Sequence, residues 1–349
     1  MSIMNPGMTL ISNGLTLAIY WIGAMLISGA DVMSKLGIFS NMVTYISYAM
    51  HIVMSFMMLI MIFMFLPRAS VSARRIGEIL DTKPKIIDGE GNVSENGEGC
   101  VEFKNVSFKY PDAEEYVVRN VSFKANKGET IAFIGSTGSG KSTIINLIPR
   151  FYDVSEGEIL INGVNVKDYK LSDLHNKIGY IPQRAVLFSG TIESNLKFGD
   201  NGKPELTEEE MDEASEIAQA KNFIHRNEEK YSARVAQGGT NFSGGQKQRL
   251  SIARALARKS EIYIFDDSFS ALDYKTDKAL RKALKKKATS STKFIVAQRI
   301  GTIKDADKII VLDQGDVVGI GTHDELLKTC EVYQEIAYSQ VTKEELENA

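Results

Sequence analysis

Cysteine is scarce in this chain of 349 residues: only Cys100 and Cys330 carry a thiol, and they lie far apart in sequence. Two such residues make no disulfide framework and read as free thiols of a cytosolic domain, with no redox role. Proline is sparse as well, with seven residues, and the 28 glycines follow no repeat, so a collagen or a disordered polymer is excluded. Neither sign of charge is in excess. The balance of 41 basic against 44 acidic residues is too even for a general nucleic-acid surface, so no nucleic-acid partner is expected and any polyanion site must be local.

Charge is almost missing from one region. Residues 1–67 hold only Asp31 and Lys35 as formal charges, together with twelve of the thirteen methionines. Residues 10–30 and 36–67 are uncharged, and each run is long enough as a helix to cross roughly 30 Å of hydrocarbon. Their length argues against a pair of buried helices in a soluble core, and nothing basic precedes Lys35 as it would in a secretory signal. Two spans in a lipid bilayer are therefore expected, at about 9–30 and 37–67, within a partial transmembrane domain over residues 1–80. Arg68, Arg74 and Arg75 follow the second span and place what comes after it in the cytoplasm, giving a multi-pass protein of the cell membrane.

Residues 69–80 have helix-forming character and carry the second span onward into water. Residues 81–100, rich in Gly, Asn, Glu and Lys with Gly-Asn and Asn-Gly turn signals, read as a linker. From Val101 short apolar strands alternate with helical segments, which predicts an α/β domain over 101–340, followed by a tail at 341–349. Candidate strands lie at 101–110, 117–125, 129–134, 262–265, 293–297 and 308–312; the last four are nearly all apolar, as in a sheet covered on both faces. A helix is expected over 206–220, capped by Thr207 with Glu210 completing a capping box.

The sequence GSTGSGKST at 135–143 fits GxxxxGK[ST] between an apolar strand and an apolar helical run. Gly135, Gly138 and Gly140 let the backbone curl around Ser136, Thr137 and Ser139, so that successive N–H groups form an anion nest leading into a helix at Lys141. Lys141 can reach the outer phosphates of a bound nucleotide, the Ser142 hydroxyl is placed for Mg²⁺, and Thr143 closes the motif. Such a cradle needs a metal-positioning carboxylate. Asp266 supplies one, because the four apolar residues before it place it at the carboxyl edge of the sheet, where open α/β folds bind ligands.

A third motif, Phe242-Ser243-Gly244-Gly245-Gln246, starts a helical run in which Ser243 and Gln246 form a further capping box and the glycines permit close backbone approach. This FSGGQ run resembles the ABC signature, and with the phosphate loop and IYIFDD it gives residues 101–340 the look of an ATP-binding-cassette ATPase. The resemblance implies a P-loop ABC nucleotide-binding domain with a RecA-like core, an antiparallel β subdomain and a helical subdomain. The two spans resemble the end of an exporter-type transmembrane domain. ABC domains pair head to tail, so the signature would contact ATP held by a partner. On this resemblance Tyr110 stacks on adenine, Gln183 in GYIPQ contacts Mg²⁺ and the attacking water, and Asp273 in SALD is the D-loop residue.

Three positions depart from the family pattern. Asp267 stands where hydrolytic members have Glu, Gln298 stands at the switch position usually held by His, and Gln237 stands where exporters often have Glu. The first two resemble the degenerate-site half of a heterodimeric exporter. The resemblance thus implies an ATP hydrolase with low turnover at its own site, working with a second, nonidentical half-transporter to export a substrate that these residues do not specify. Six spans usually precede such a domain and two are present here, which leads to the expectation of an N-terminally truncated half. A nucleotide-gated dimerisation module without transport activity is the alternative.

Overall fold

The computed structural model describes residues 4–91, 99–199 and 204–340. The chain divides after Lys85 into two compact units.

The first unit is a helical pair, Met4–Ser28 and Val32–Leu80. Both are long and apolar enough to cross a bilayer, and almost none of their side chains is buried within the chain. The first helix starts earlier than the expected span, and the second runs through Pro67 without a break in assignment, to 49 residues or about 74 Å. Close approach of the two is set at Gly23, where any Cβ would run into the buried Met42 side chain. Small residues at such crossings let helix backbones approach without a hydrophobic driving force.

Two sheets build the second unit. The smaller has four antiparallel strands in the order β2-β1-β4-β5: β1 is Val101–Phe108, β2 Val118–Ala125, β4 Glu156–Ile161 and β5 Val164–Asn165. The larger has six, β12-β11-β3-β10-β9-β6, with β3 at Thr130–Gly135, β6 at Ile178–Ile181, β9 at Ile262–Asp266, β10 at Thr292–Val296, β11 at Lys308–Asp313 and β12 at Asp316–Gly321. All its pairings are parallel except β11 with β12. A short pair, β7 (Gly190–Thr191) and β8 (Arg234–Val235), completes the strands among the described residues.

The large sheet separates two cores. Ala132 and Ile134 of β3 face one, together with the helices of residues 208–257, and Ile131 and Phe133 face the other, together with the small sheet. Strand alternation makes this division, and burial on both faces explains the continuous apolar runs. The expected antiparallel and helical parts flank the RecA-like sheet. The helix Glu208–Ile217 carries the predicted box, with Thr207 and Glu210 bonded to each other's backbone N–H.

The segment read as a linker is partly docked. Gly89 and Gly91 donate to the carbonyls of Tyr169 and Asp168, and Asp88 accepts from the Leu171 N–H at 2.8 Å. Residues 92–98 of that segment and the tail at 341–349 lie outside the described residues.

Candidate nucleotide-binding site

The site forms at the carboxyl edge of β3, where Gly135 turns the chain into the loop. Gly135 (φ 153°) and Gly140 (φ 95°) cannot be replaced without collision: a Cβ would meet the Leu312 carbonyl oxygen at the first and the Val118 side chain at the second. The loop runs over Ser136, Thr137, Gly138 and the buried Ser139 into the helix Lys141–Leu147. Lys141 folds back on it, with Nζ donating to the Gly135 and Ser136 carbonyls at 2.9 and 2.6 Å and to Ser139 Oγ at 3.3 Å. Burial pulls its pKa down, and the charges of Asp267 and Asp266 oppose that fall.

Ser142 Oγ donates to Asp266 Oδ1 at 2.9 Å, joining the loop to the end of β9 across 124 residues. Asp266 Oδ2 accepts from Tyr180 Oη at 3.2 Å, and that hydroxyl also lies 2.9 Å from Asn146 Oδ1. Next to it, Asp267 sits at φ 45° with its Oδ2 accepting from Gln183 Nε2 at 3.2 Å and from Gln298 Nε2 at 2.9 Å. Burial first, and then the negative Asp266, push the Asp267 pKa up. Four expected residues, Asp266, Asp267, Gln183 and Gln298, are thereby brought together from three strand ends.

The donor set suits magnesium. One hydroxyl and one carboxylate already meet at Ser142–Asp266, and Gln183 adds an amide oxygen; hard oxygen ligands from one or two side chains, completed by phosphate and water, are what Mg²⁺ takes. Among the described residues no group of three His, Cys, Asp or Glu forms a richer metal site.

Tyr110, two residues past the end of β1, reaches the helix that follows the loop, its hydroxyl 3.2 Å from Thr143 Oγ1 and its ring edge-on to Phe108 and Tyr152. The signature residues stand elsewhere. Ser243 Oγ accepts from the Gln246 N–H at 3.3 Å, and Gln246 Oε1 accepts from the Ser243 N–H at 2.9 Å, so both cap the helix Gly244–Ala257. Ser243 and Gly244 are exposed, nothing lies within 4 Å of where a Gly244 Cβ would be, and Phe242 packs edge-on to Phe223. Among the described residues no hydrogen bond joins this tip to residues 135–143. Asp273 caps the helix Tyr274–Lys287 through the Thr276 N–H and hydroxyl, which lower its pKa.

Tyr180 and Asn146 escape sequence reasoning. The available signal was the position of Tyr180 three residues before Gln183, on the apolar stretch Ile178–Ile181. His323 lies far from the switch position in sequence and bonds Tyr333 Oη at 2.7 Å.

A glycine cradle, its lysine, and a serine–aspartate pair at the carboxyl edge of a parallel sheet define a P-loop nucleotide-binding domain. Residues 118–270 match the ABC transporter family model. The chain is 42% identical over 342 residues to a Mycobacterium tuberculosis protein described as an ABC transporter ATP-binding protein, covering 97% of this chain and 57% of that one. It is 40% identical over 264 residues to an ATP-dependent lipid A-core flippase of Haemophilus influenzae, covering 76% and 44%. A solved bacterial Atm1-family ABC exporter with ATP bound matches with a TM-score of 0.79 and 30% identity, over 96% of this chain and 58% of that chain. The chain belongs to the ABC transporter family. It spans 57%, 44% and 58% of the lengths of these three proteins, and it carries an ABC transporter domain that follows two apolar helices in sequence.

Proposed function

We propose that this chain is the ATP-binding half of a membrane ABC exporter, holding MgATP at residues 135–143 and lending its Ser243–Gln246 tip to ATP held by a nonidentical half-transporter. The observation that carries this reading is the convergence of Gln183 and Gln298 on Asp267, beside the Ser142–Asp266 pair. In these roles the loop N–H groups and Lys141 hold phosphate oxygens, Ser142, Asp266 and Gln183 hold Mg²⁺, Tyr110 stacks on adenine, and Asp267 orients the attacking water. Bound magnesium neutralises charge developing on the phosphates. Asp267 is one methylene shorter than Glu, and a misplacement of about 1 Å at a reacting water costs on the order of 100-fold in rate. Gln298 offers an amide and no charge to the γ-phosphate. The chain's own site is therefore slow, and its signature serves the faster one.

The membrane role draws on energetics as well as on likeness. Burying a Leu, Met or Phe is worth about 1.5–3 kcal/mol, and side chains such as Leu10 and Met33, 76% and 95% exposed, occur along both helices. Summed over dozens of such residues, hydrocarbon wins over water. Arg68, Arg74 and Arg75 then set the ATPase domain on the cytoplasmic side.

Purified chain alone is expected to turn over ATP slowly, and Asp267→Glu together with an intact partner half is expected to raise the rate at least tenfold. Brisk hydrolysis by the unaltered chain on its own would contradict the slow-site reading. A second reading, a nucleotide-gated dimerisation module, draws on the same two side chains: the short carboxylate of Asp267 and the uncharged Gln298 would leave nucleotide-driven pairing intact while supporting no turnover. ATP-dependent pairing with no turnover at either site would support it.

A further inference from the structure

Gln298 has to present its side-chain amide at a fixed place, yet it is exposed and sits just beyond the end of β10. Its backbone is held from outside the site. Gln340 Nε2 donates to the Gln298 carbonyl at 2.6 Å, and Gln340 Oε1 accepts from the Ile300 N–H at 2.9 Å. A primary amide offers one donor and one acceptor side by side, as a neighbouring strand does, so one side chain grips both ends of the turn Gln298–Ile300. The Ile300 N–H belongs to the first turn of the helix Ile300–Ile303, whose preceding residue, Arg299, supplies no side-chain cap; Gln340 therefore satisfies an otherwise orphan donor.

Helical spacing aims the grip. Gln340 closes the helix Glu331–Gln340, in which Tyr333 and Ala337, seven and three residues earlier, are both completely buried. Positions i, i+4 and i+7 share one face, so the packing that seats Tyr333 and Ala337 also points Gln340 at the turn. His323 Nδ1, 2.7 Å from Tyr333 Oη, fixes that seat from the preceding helix. The chain thus runs from a buried tyrosine to an amide, from the amide to the Gln298 backbone, and from the Gln298 side chain to Asp267.

We infer that Gln340 is a positioning residue for ATP hydrolysis, acting through Gln298 by locking the backbone of residues 298–300. The inference rests on the proposed role of Gln298, and the test separates the two. Single-turnover hydrolysis and ATP affinity are measured on the full chain for Gln340→Ala, Gln298→Ala and the double variant, together with amide hydrogen exchange across 298–303. Gln340→Ala is expected to slow hydrolysis about tenfold with ATP affinity changed less than twofold, and to speed exchange at Ile300. The double variant is expected to match Gln298→Ala, since a residue that acts only through another adds nothing once that one is gone. If Gln298→Ala itself leaves the rate unchanged, the switch reading fails. If Gln298→Ala is slow while Gln340→Ala hydrolyses and exchanges like the parent, the switch reading stands and the positioning role is overturned. Additive losses in the double variant also overturn it.

Discussion

Asp267 combines two conditions that favour a short carboxylate. Its φ of 45° lies in the left-handed region, where Asp and Asn are several-fold enriched over most other side chains, and it is largely buried beside a second carboxylate. Because burial and Asp266 raise its pKa, the native state holds this proton more tightly than the unfolded chain does. Stability is then fully present below the ordinary carboxylate pKa and is lost as pH rises through the raised native value. Asp267→Asn keeps an acceptor for Gln183 and Gln298 and removes that loss. Thermal melts without nucleotide should therefore give the variant an equal or higher Tm at pH 7, with the difference closing toward pH 3, while turnover falls about 100-fold. A variant less stable at neutral pH than in acid, relative to the parent, would reverse the sign and refute the ionisation argument. The phosphate-loop residues are legible from sequence because their spacing is dictated by the backbone around a phosphate, and Asp266 because a run of four apolar residues ends at it. Tyr180 is not, because its partners Asn146 and Asp266 lie 34 and 86 residues away.

The helix Gly244–Ala257 shows what an element contributes beyond its residues. Its start is local chemistry: Ser243 and Gln246 satisfy each other's N–H groups, and Ser243→Ala is expected to cost about 1 kcal/mol of stability. Chemical denaturation of the full chain would measure it, and an unchanged midpoint would show that the tip is not held by this cap. Further along, buried Gln248 donates to the Pro182 carbonyl at 3.2 Å and Arg254 to the Val186 carbonyl at 2.9 Å. The signature helix is thereby tied to the stretch that contains Gln183. Capping boxes could be read in the sequence because both partners lie within four residues. The ties to Pro182 and Val186 span 66 and 68 residues and leave no local pattern. The grip of Gln340 on Gln298, 42 residues away, was hidden for the same reason. The docking of residues 88–91 was hidden by composition, since polar and glycine-rich sequence reads as free chain even where its backbone is bonded.

At the scale of the whole molecule, the apolar strands announced a sheet covered on both faces, and the two cores on either side of β3 follow from their alternation. Strand order did not announce itself. Placing β3 between β11 and β10 brings the loop after β3 next to Asp266 of β9, one strand further on, and this neighbourhood makes the site. The signature tip remains exposed, without a hydrogen bond to the phosphate loop of its own chain among the described residues. The central claim is that the tip of one polypeptide clasps nucleotide held in the loop of another. It is tested most directly by energy transfer between the labelled full chain and a labelled partner half-transporter, which follows their association with MgATP. Lys141→Ala, which loses the phosphate contact, and Ser243→Arg, which loses the clasp, should each leave one composite site and weaken association, and the double variant, with neither composite site left, should abolish it. A double variant that associates with MgATP as the unaltered chain does would contradict the clasp.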